Sequence, residues 1–328
     1  MTVKGKGKKA KAKAKSKPRG KTSTTGRAQD VQYMKVHLLD EIKYPLRNKP
    51  PPAPPDYPTN EEIEPELLTH VRLRRFEPST MYRDAMIAII GRRRFGKSTL
   101  MENIAYAMKF KRAVGLAGTS GALQQLKRYI PESYLHRGSI ERLKHIIDER
   151  DMQLAKNADN PPDNYETGLL IDDMAPYKKF MSSEQLNVLA SNGRWLQFCV
   201  IICIQYLILL STTMRGNIDY IFVTRELSRR NRRLLFENWG GCCPTQKHFD
   251  KILDSCTKEF GCLVIDCTAT GTEFEDYFYH YRADPDLPRW ELGDESYRGY
   301  HDEIMAKKKR TQKPVWPCGA AKSETPES

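Results

Sequence analysis

The stretch Met86-Ile-Ala-Ile-Ile90-Gly91-Arg-Arg-Arg-Phe-Gly96-Lys97-Ser98-Thr99 decides how this chain is read. Its first five residues are apolar and mostly β-branched, too short for a helix, and predict a buried strand. They lead into a loop of the form G-x-x-x-x-G-K-S/T and then into a helical stretch from Ser98 to Lys109. Strand, loop and helix in that order are the setting in which the pattern carries chemistry. Glycines let the backbone curl until successive N–H groups point at phosphate oxygens. The helix N-terminus adds the positive end of its dipole. Lys97 is placed for the β- and γ-phosphates and the Ser98 hydroxyl for Mg²⁺. The segment Gly91, Arg92, Arg93, Arg94, Phe95, Gly96, Lys97, Ser98 and Thr99 is thus the expected nucleotide-binding loop, with ATP and Mg²⁺ as its cofactors.

Further apolar runs follow at strand length: Ala113–Ala117, Gly168–Ile171, Phe198–Ile204 and Tyr220–Val223. Helical stretches separate them, at Ala122–Tyr129, Ile140–Leu154 and Ser183–Trp195. Alternation of this kind predicts an α/β fold with a mainly parallel central sheet flanked by helices. Cys262–Asp266 and Asp276–Tyr281, around the turn residues Thr270-Gly-Thr272, predict a C-terminal β-hairpin added to it.

Two strands end in polar groups suited to phosphate chemistry. Gly168-Leu-Leu-Ile-Asp172-Asp173 closes an apolar run with two carboxylates. Asp172 is the expected second ligand for the Mg²⁺ held by Ser98. Asp173 points elsewhere, where it polarises a water for in-line attack. Gln205 closes Phe198–Ile204 and either senses the γ-phosphate or orients the attacking water, or else caps a helix. Arg215, ahead of the strand at Tyr220, either faces solvent or reaches a neighbouring subunit's phosphate as an arginine finger. The turn carrying it is expected at the carboxyl edge of the sheet or on its flank. The arginine-rich stretch from Arg225 to Arg233 reads as one face of an amphipathic helix, either solvated or in contact with DNA or another subunit.

Charge and composition exclude other classes. The net charge is +13, but residues 1–21 alone hold nine lysines, Arg19 and no acid. The basic balance therefore belongs to a tail, suited to nonspecific nucleic-acid contact, to nuclear import or to solubility. The longest apolar run, Phe198 to Leu210, is interrupted by Gln205 and is shorter than the roughly 20 residues that span a bilayer. No transmembrane segment is expected. Eight cysteines without a C-x-x-C pair suit neither a disulfide scaffold nor zinc, and suggest a reducing, intracellular compartment. The expected organisation is a disordered basic tail (1–30), a proline-rich linker (31–58), the nucleotide-binding body (59–306) and a disordered C-terminal tail (307–328).

The motifs together resemble the poxvirus-type genome-packaging ATPases of large double-stranded DNA viruses, in the FtsK/HerA superfamily of RecA-like P-loop NTPases. The resemblance runs from about Arg83 to Gly293. It rests on the P-loop with Ser98, Gly118-Thr-Ser before a helix and Ile130-Pro131, Leu169-Leu-Ile-Asp-Asp173, Cys203-Ile-Gln205-Tyr, Arg215-Gly-Asn-Ile-Asp-Tyr-Ile-Phe222, and the late segment Tyr281 to Gly293. It implies ATP-driven translocation of double-stranded DNA into a capsid, by a homo-oligomeric ring docked on capsid-vertex or other virion assembly proteins. The site of action would be the place of virus assembly in the infected cell, cytoplasm or nucleus, and the virion itself. It makes Gln205 the sensor and Arg215 a finger acting across subunits. Three consecutive arginines, Arg92 to Arg94, depart from the smaller residues expected there; they either add phosphate contacts or crowd the loop. The alternatives are another nucleic-acid ATPase of helicase or recombination type, and a non-enzymatic ATP-gated DNA-binding scaffold. A GTPase would need an Asn-Lys-x-Asp loop, which is missing. A nucleotide kinase usually lacks the second acid.

Overall fold

The computed structural model describes residues 35–39, 70–157, 166–271 and 273–311. The strands are β1 (Lys35–Leu39), β2 (His70–Arg75), β3 (Met86–Ile90), β4 (Arg112–Ala117) and β5 (Leu135–Arg137), then β6 (Thr167–Asp172), β7 (Phe198–Ile204), β8 (Tyr220–Val223), β9 (Gly261–Asp266) and β10 (Phe278–Arg282). Among the described residues they form one sheet in the order β1-β2-β10-β9-β8-β3-β7-β6-β4-β5. Only the contacts of β9, with β8 and β10, are antiparallel; the other paired strands run parallel. Helices cover it: α1 (Lys97–Met108), α2 (Ser120–Leu126), α3 (Ile140–Lys156), α4 (Lys178–Met181) and α5 (Glu184–Asn192) in the first half. The second half adds α6 (Thr212–Gly216), α7 (Arg229–Trp239), α8 (Gln246–Cys256), α9 (Phe274–Tyr277) and α10 (Glu295–Thr311).

The apolar runs are continuous because the central strands are buried on both faces. In β3, Met86, Ala88 and Ile90 enter one core layer while Ile87 and Ile89 enter the other. β7 splits the same way, with Val200 and Ile202 on one side and Cys199 and Ile201 on the other. Truncating such a residue, Ile89→Ala for example, removes about 2–5 kcal/mol of stability. Ser or Thr hydroxyls cap α2, α3, α5, α6, α7 and α8, each accepting a backbone N–H of the first turn.

The expected α/β sheet and the antiparallel pair β9–β10 are present. Three boundaries differ. β1 lies within the stretch read as a linker (31–58) and pairs in register with β2, from Lys35 opposite His70 onward; Val36 and Leu38 supply a strand's alternation. Asp276 and Tyr277 belong to α9 rather than to a strand, because Glu273 and Asp276 form a reciprocal capping box. α10 runs past 306, since Lys307 and Lys308 are good helix formers and complement the negative end of its dipole. The basic tail (1–30), the prolines at 45–58 and residues 312–328 lie outside the described residues. No described helix is long and apolar enough to cross a membrane.

Candidate active site

At the carboxyl ends of β3, β6 and β7 the expected site residues come together. The two loop glycines are needed for different reasons. A Cβ at Gly91 would lie 1.8 Å from Thr224 Oγ1, just past β8. Gly96 has φ +79°, where side chains are strained. Gly96 also stands at the N-cap of α1 and makes no side-chain cap bond, unlike the six hydroxyl-capped helices. The first-turn N–H groups of α1 thus keep their capacity for an anion. Arg92, Arg93 and Arg94 are exposed, so they do not crowd the loop, although Arg94 takes a left-handed φ of 69°. Phe95 and Thr99 are half-buried, and the Thr99 carbonyl accepts a bond from Asn103 at 3.0 Å.

Lys97 Nζ donates to the Arg92 carbonyl at 2.8 Å, folded back across its own loop. Burial pushes its pKa down, and the nearby Asp172 and Asp173 oppose that. Ser98 Oγ donates to Asp172 Oδ2 at 3.2 Å, across 74 residues of chain. Asp172 is buried, and desolvation raises its pKa despite the Ser98 bond. A hydroxyl and one carboxylate are a hard-oxygen pair of the kind that holds Mg²⁺ together with substrate phosphates. No cluster of three or more His, Cys, Asp or Glu able to hold a metal occurs among the described residues.

Asp173 turns away from Asp172 with φ 51°. Its Oδ1 accepts a long bond from Gln205 Nε2 at 3.4 Å, and its Oδ2 accepts Thr119 Oγ1 at 2.8 Å. β7 lies between the loop strand β3 and the acid strand β6, which brings the amide at its end between the two. A carboxylate and an amide that share a bond beside the phosphate loop can orient a water. Thr119 belongs to the Gly118-Thr-Ser motif, which by itself assigns it no chemical role. A Gly-Thr-Ser sequence closing a parallel strand at this edge was the sign available.

Arg215 is elsewhere. It precedes β8 and lines a cavity of about 480 Å³ with Asp84, Met86, Arg194, Asp219 and Asn238. Met86 begins β3, so this cavity sits at the amino edge of the sheet, the length of a strand from the P-loop. The expectation of a carboxyl-edge turn is therefore corrected: a segment leading into a parallel strand arrives at its amino end. Arg215 Nη1 donates to Asn238 Oδ1 at 3.3 Å. The arginine-rich stretch is not one helical face, because α7 begins at Arg229 with Ser228 as its cap and Arg225 precedes it. Arg232 pairs with Asp250 and Asp254, and Arg233 with Glu237, whereas Arg225, Arg229 and Arg230 are exposed without an ion pair among the described residues.

No family model matches the chain. It is 29% identical over 231 residues to uncharacterized protein 088R of Invertebrate iridescent virus 3, covering 67% of this chain and 84% of that one. Protein L437 of Acanthamoeba polyphaga mimivirus, also uncharacterized, is 27% identical over 218 residues, covering 64% and 77%. Its sequence relatives are viral proteins. Among solved structures, the genome packaging NTPase B204 of Sulfolobus turreted icosahedral virus 2 is 14% identical with a TM-score of 0.45, covering 63% of this chain and 100% of that one. EssC (ATPases 2 and 3) from Geobacillus thermodenitrificans is 16% identical with a TM-score of 0.45, covering 70% and 46%.

Arg92 and Arg93 line a groove of about 630 Å³ with Phe95, Gln205, Tyr206 and Leu227. Tyr206 and Leu227 are both exposed there.

Proposed function

We propose that the chain is an ATPase that drives double-stranded DNA through a homo-oligomeric ring during the packaging of a viral genome. The observation that carries the reading is the convergence of Ser98 on Asp172 and of Gln205 on Asp173, beside an uncapped helix N-terminus. Lys97 leaves the Arg92 carbonyl for the phosphates of ATP. Ser98 and Asp172 would hold Mg²⁺, which would supply charge neutralisation at the transferred phosphoryl group. Asp173 takes the proton of the attacking water while Gln205 orients it.

The DNA side is supported by charge. Arg225, Arg229 and Arg230 are exposed positive groups, as are the P-loop arginines, and residues 1–21 contribute ten of the excess charges. The viral relatives and the motif resemblance support packaging as the setting, with capsid-vertex or other assembly proteins as docking partners at the place of virus assembly. Arg215 belongs to this reading only as a contact toward a neighbouring subunit. The test is ATP hydrolysis measured with and without double-stranded DNA, against the Lys97→Ala variant as background. Stimulation by DNA is expected. Turnover indifferent to DNA removes the translocase, and nucleotide binding without turnover leaves the scaffold.

A further inference from the structure

We propose that Thr119 is a positioning residue for this reaction, its hydroxyl holding the Asp173 carboxylate in the orientation that meets Gln205. The inference rests on the ATPase reading of the site. The Thr119 oxygen accepts the backbone N–H of Ala122 at 3.3 Å, capping α2. A hydroxyl has a single proton, and here it goes to Asp173 Oδ2 at 2.8 Å. Oδ1 meets Gln205 on the other side. The two bonds grip the carboxylate from opposite ends. The left-handed backbone of Asp173 fixes where its Cβ points, so these contacts are what set its side-chain torsions.

The turn that carries Thr119 is itself braced. Gly118 N donates to the Asp172 carbonyl at 3.0 Å, and a Cβ on Gly118 would lie 2.1 Å from the Asp173 carbonyl oxygen. The Gly118 carbonyl accepts from the Tyr177 hydroxyl at 3.0 Å and from Arg137 Nη1 at 2.9 Å. Arg137 Nη2 reaches on to Ser120 Oγ at 2.6 Å. One guanidinium therefore clamps the residues before and after Thr119. A cap alone requires only an acceptor, which Ser, Thr, Asp or Asn supplies. Capping and donating together require a hydroxyl.

That difference makes the test. The full-length chain is assayed for steady-state ATP hydrolysis, with kcat and KM separated, as wild type, Thr119→Ser, Thr119→Asp and Thr119→Ala. Thr119→Asp keeps the cap but has no proton to give and sets a second negative charge against Asp173. The expected result is a kcat about 10²-fold lower in Thr119→Asp and Thr119→Ala, with KM unchanged, the scale of a misplaced reacting group. Thr119→Ser stays close to wild type. Equal rates in Thr119→Asp and Thr119→Ser would reduce Thr119 to a cap and overturn the proposal. So would a rise in KM that accounts for the loss, or an unaltered kcat in Thr119→Ala. Should Thr119→Ala not fold, the Ser and Asp variants still decide. A wild type no faster than Lys97→Ala overturns the ATPase reading and this inference with it, a failure distinct from any pattern among the Thr119 variants.

Discussion

The two ends of the central strands hold polar clusters of similar make-up and opposite use. At the amino edge, Asp219 is spent on the fold: its Oδ2 accepts the backbone N–H of Met86 at 2.8 Å, and Arg194 pairs with it. Its own backbone N–H donates to the Met86 carbonyl at 2.8 Å, so β3 and β8 are locked where they begin. At the carboxyl edge, Asp172 accepts Ser98 and the backbone N–H of its neighbour Asp173, and Asp173 accepts Thr119 and Gln205, so neither carboxylate ties one strand's backbone to another's. A buried carboxylate that bridges the backbones of two strands stabilises the fold, whereas one held mainly by a hydroxyl or an amide has oxygens to offer a ligand.

The sharpest break between the edges comes from Lys97→Ala, which is expected to bring hydrolysis to background with the circular dichroism spectrum unchanged. Removing the cation aimed at the transferred phosphoryl strips charge stabilisation from the transition state. Asp173→Asn follows, with a loss of about 10²-fold or more in turnover and retained binding of a fluorescent ATP analogue. Asp172→Asn separates the neighbouring acids: it weakens Mg²⁺-dependent binding. Because burial holds the Asp172 pKa up, ionisation costs stability in the folded chain, and the cost appears as pH rises from the ordinary aspartate value through the raised one. The neutral amide removes it, so the nucleotide-free melting temperature of Asp172→Asn rises.

The amino edge should behave in reverse. Asp219→Ala leaves the Met86 N–H without its side-chain partner and is expected to lower unfolding free energy by about 1–3 kcal/mol in a urea melt. Turnover per folded molecule stays at the wild-type level. The smallest effect is assigned to Arg215→Ala: the half-buried side chain gives up one bond to Asn238 and a buried unpaired Nε, so a stability change within about 1 kcal/mol and a rate near wild type are expected. A loss of about 10³-fold with ATP binding intact would instead mean that Arg215 reaches a neighbouring subunit's phosphates. Mixing it with excess Lys97→Ala would then restore activity.

Sequence patterns served the carboxyl edge better than the periphery. β3, β7 and β8 were legible to the residue, because strands buried on both faces are unbroken apolar runs bounded by polar residues. β2 reads His-Val-Arg-Leu-Arg-Arg and was not picked out, because its charged positions find long-range partners; Arg74 bonds the Glu275 carbonyl and lies over the Tyr279 ring. β5 has three residues, too few for any period. α8, whose Phe249, Ile252 and Leu253 are buried, sits in a region read for its cysteines rather than its helical spacing. In the site, the P-loop and the paired acids were visible as local patterns. Thr119 was not, because its bond to Asp173 spans 54 residues of chain. The edge on which Arg215 sits was deducible: chain direction through a parallel strand places what precedes it at the amino end.

β2 lies against β10, with Arg74 opposite Tyr279 and Arg75 opposite His280. On the ribosome this pairing sets a schedule. A strand made from residues 70–75 leaves the exit tunnel long before its sheet neighbour at 278–282 is translated. At about 5–20 residues per second, the interval is on the order of ten seconds or more. Through that time β2 has an unpaired edge toward the missing hairpin, the kind of edge that recruits other strands. The arginines of β2, mutually repulsive between nascent copies on one polysome, are suited to keeping it single until β10 arrives.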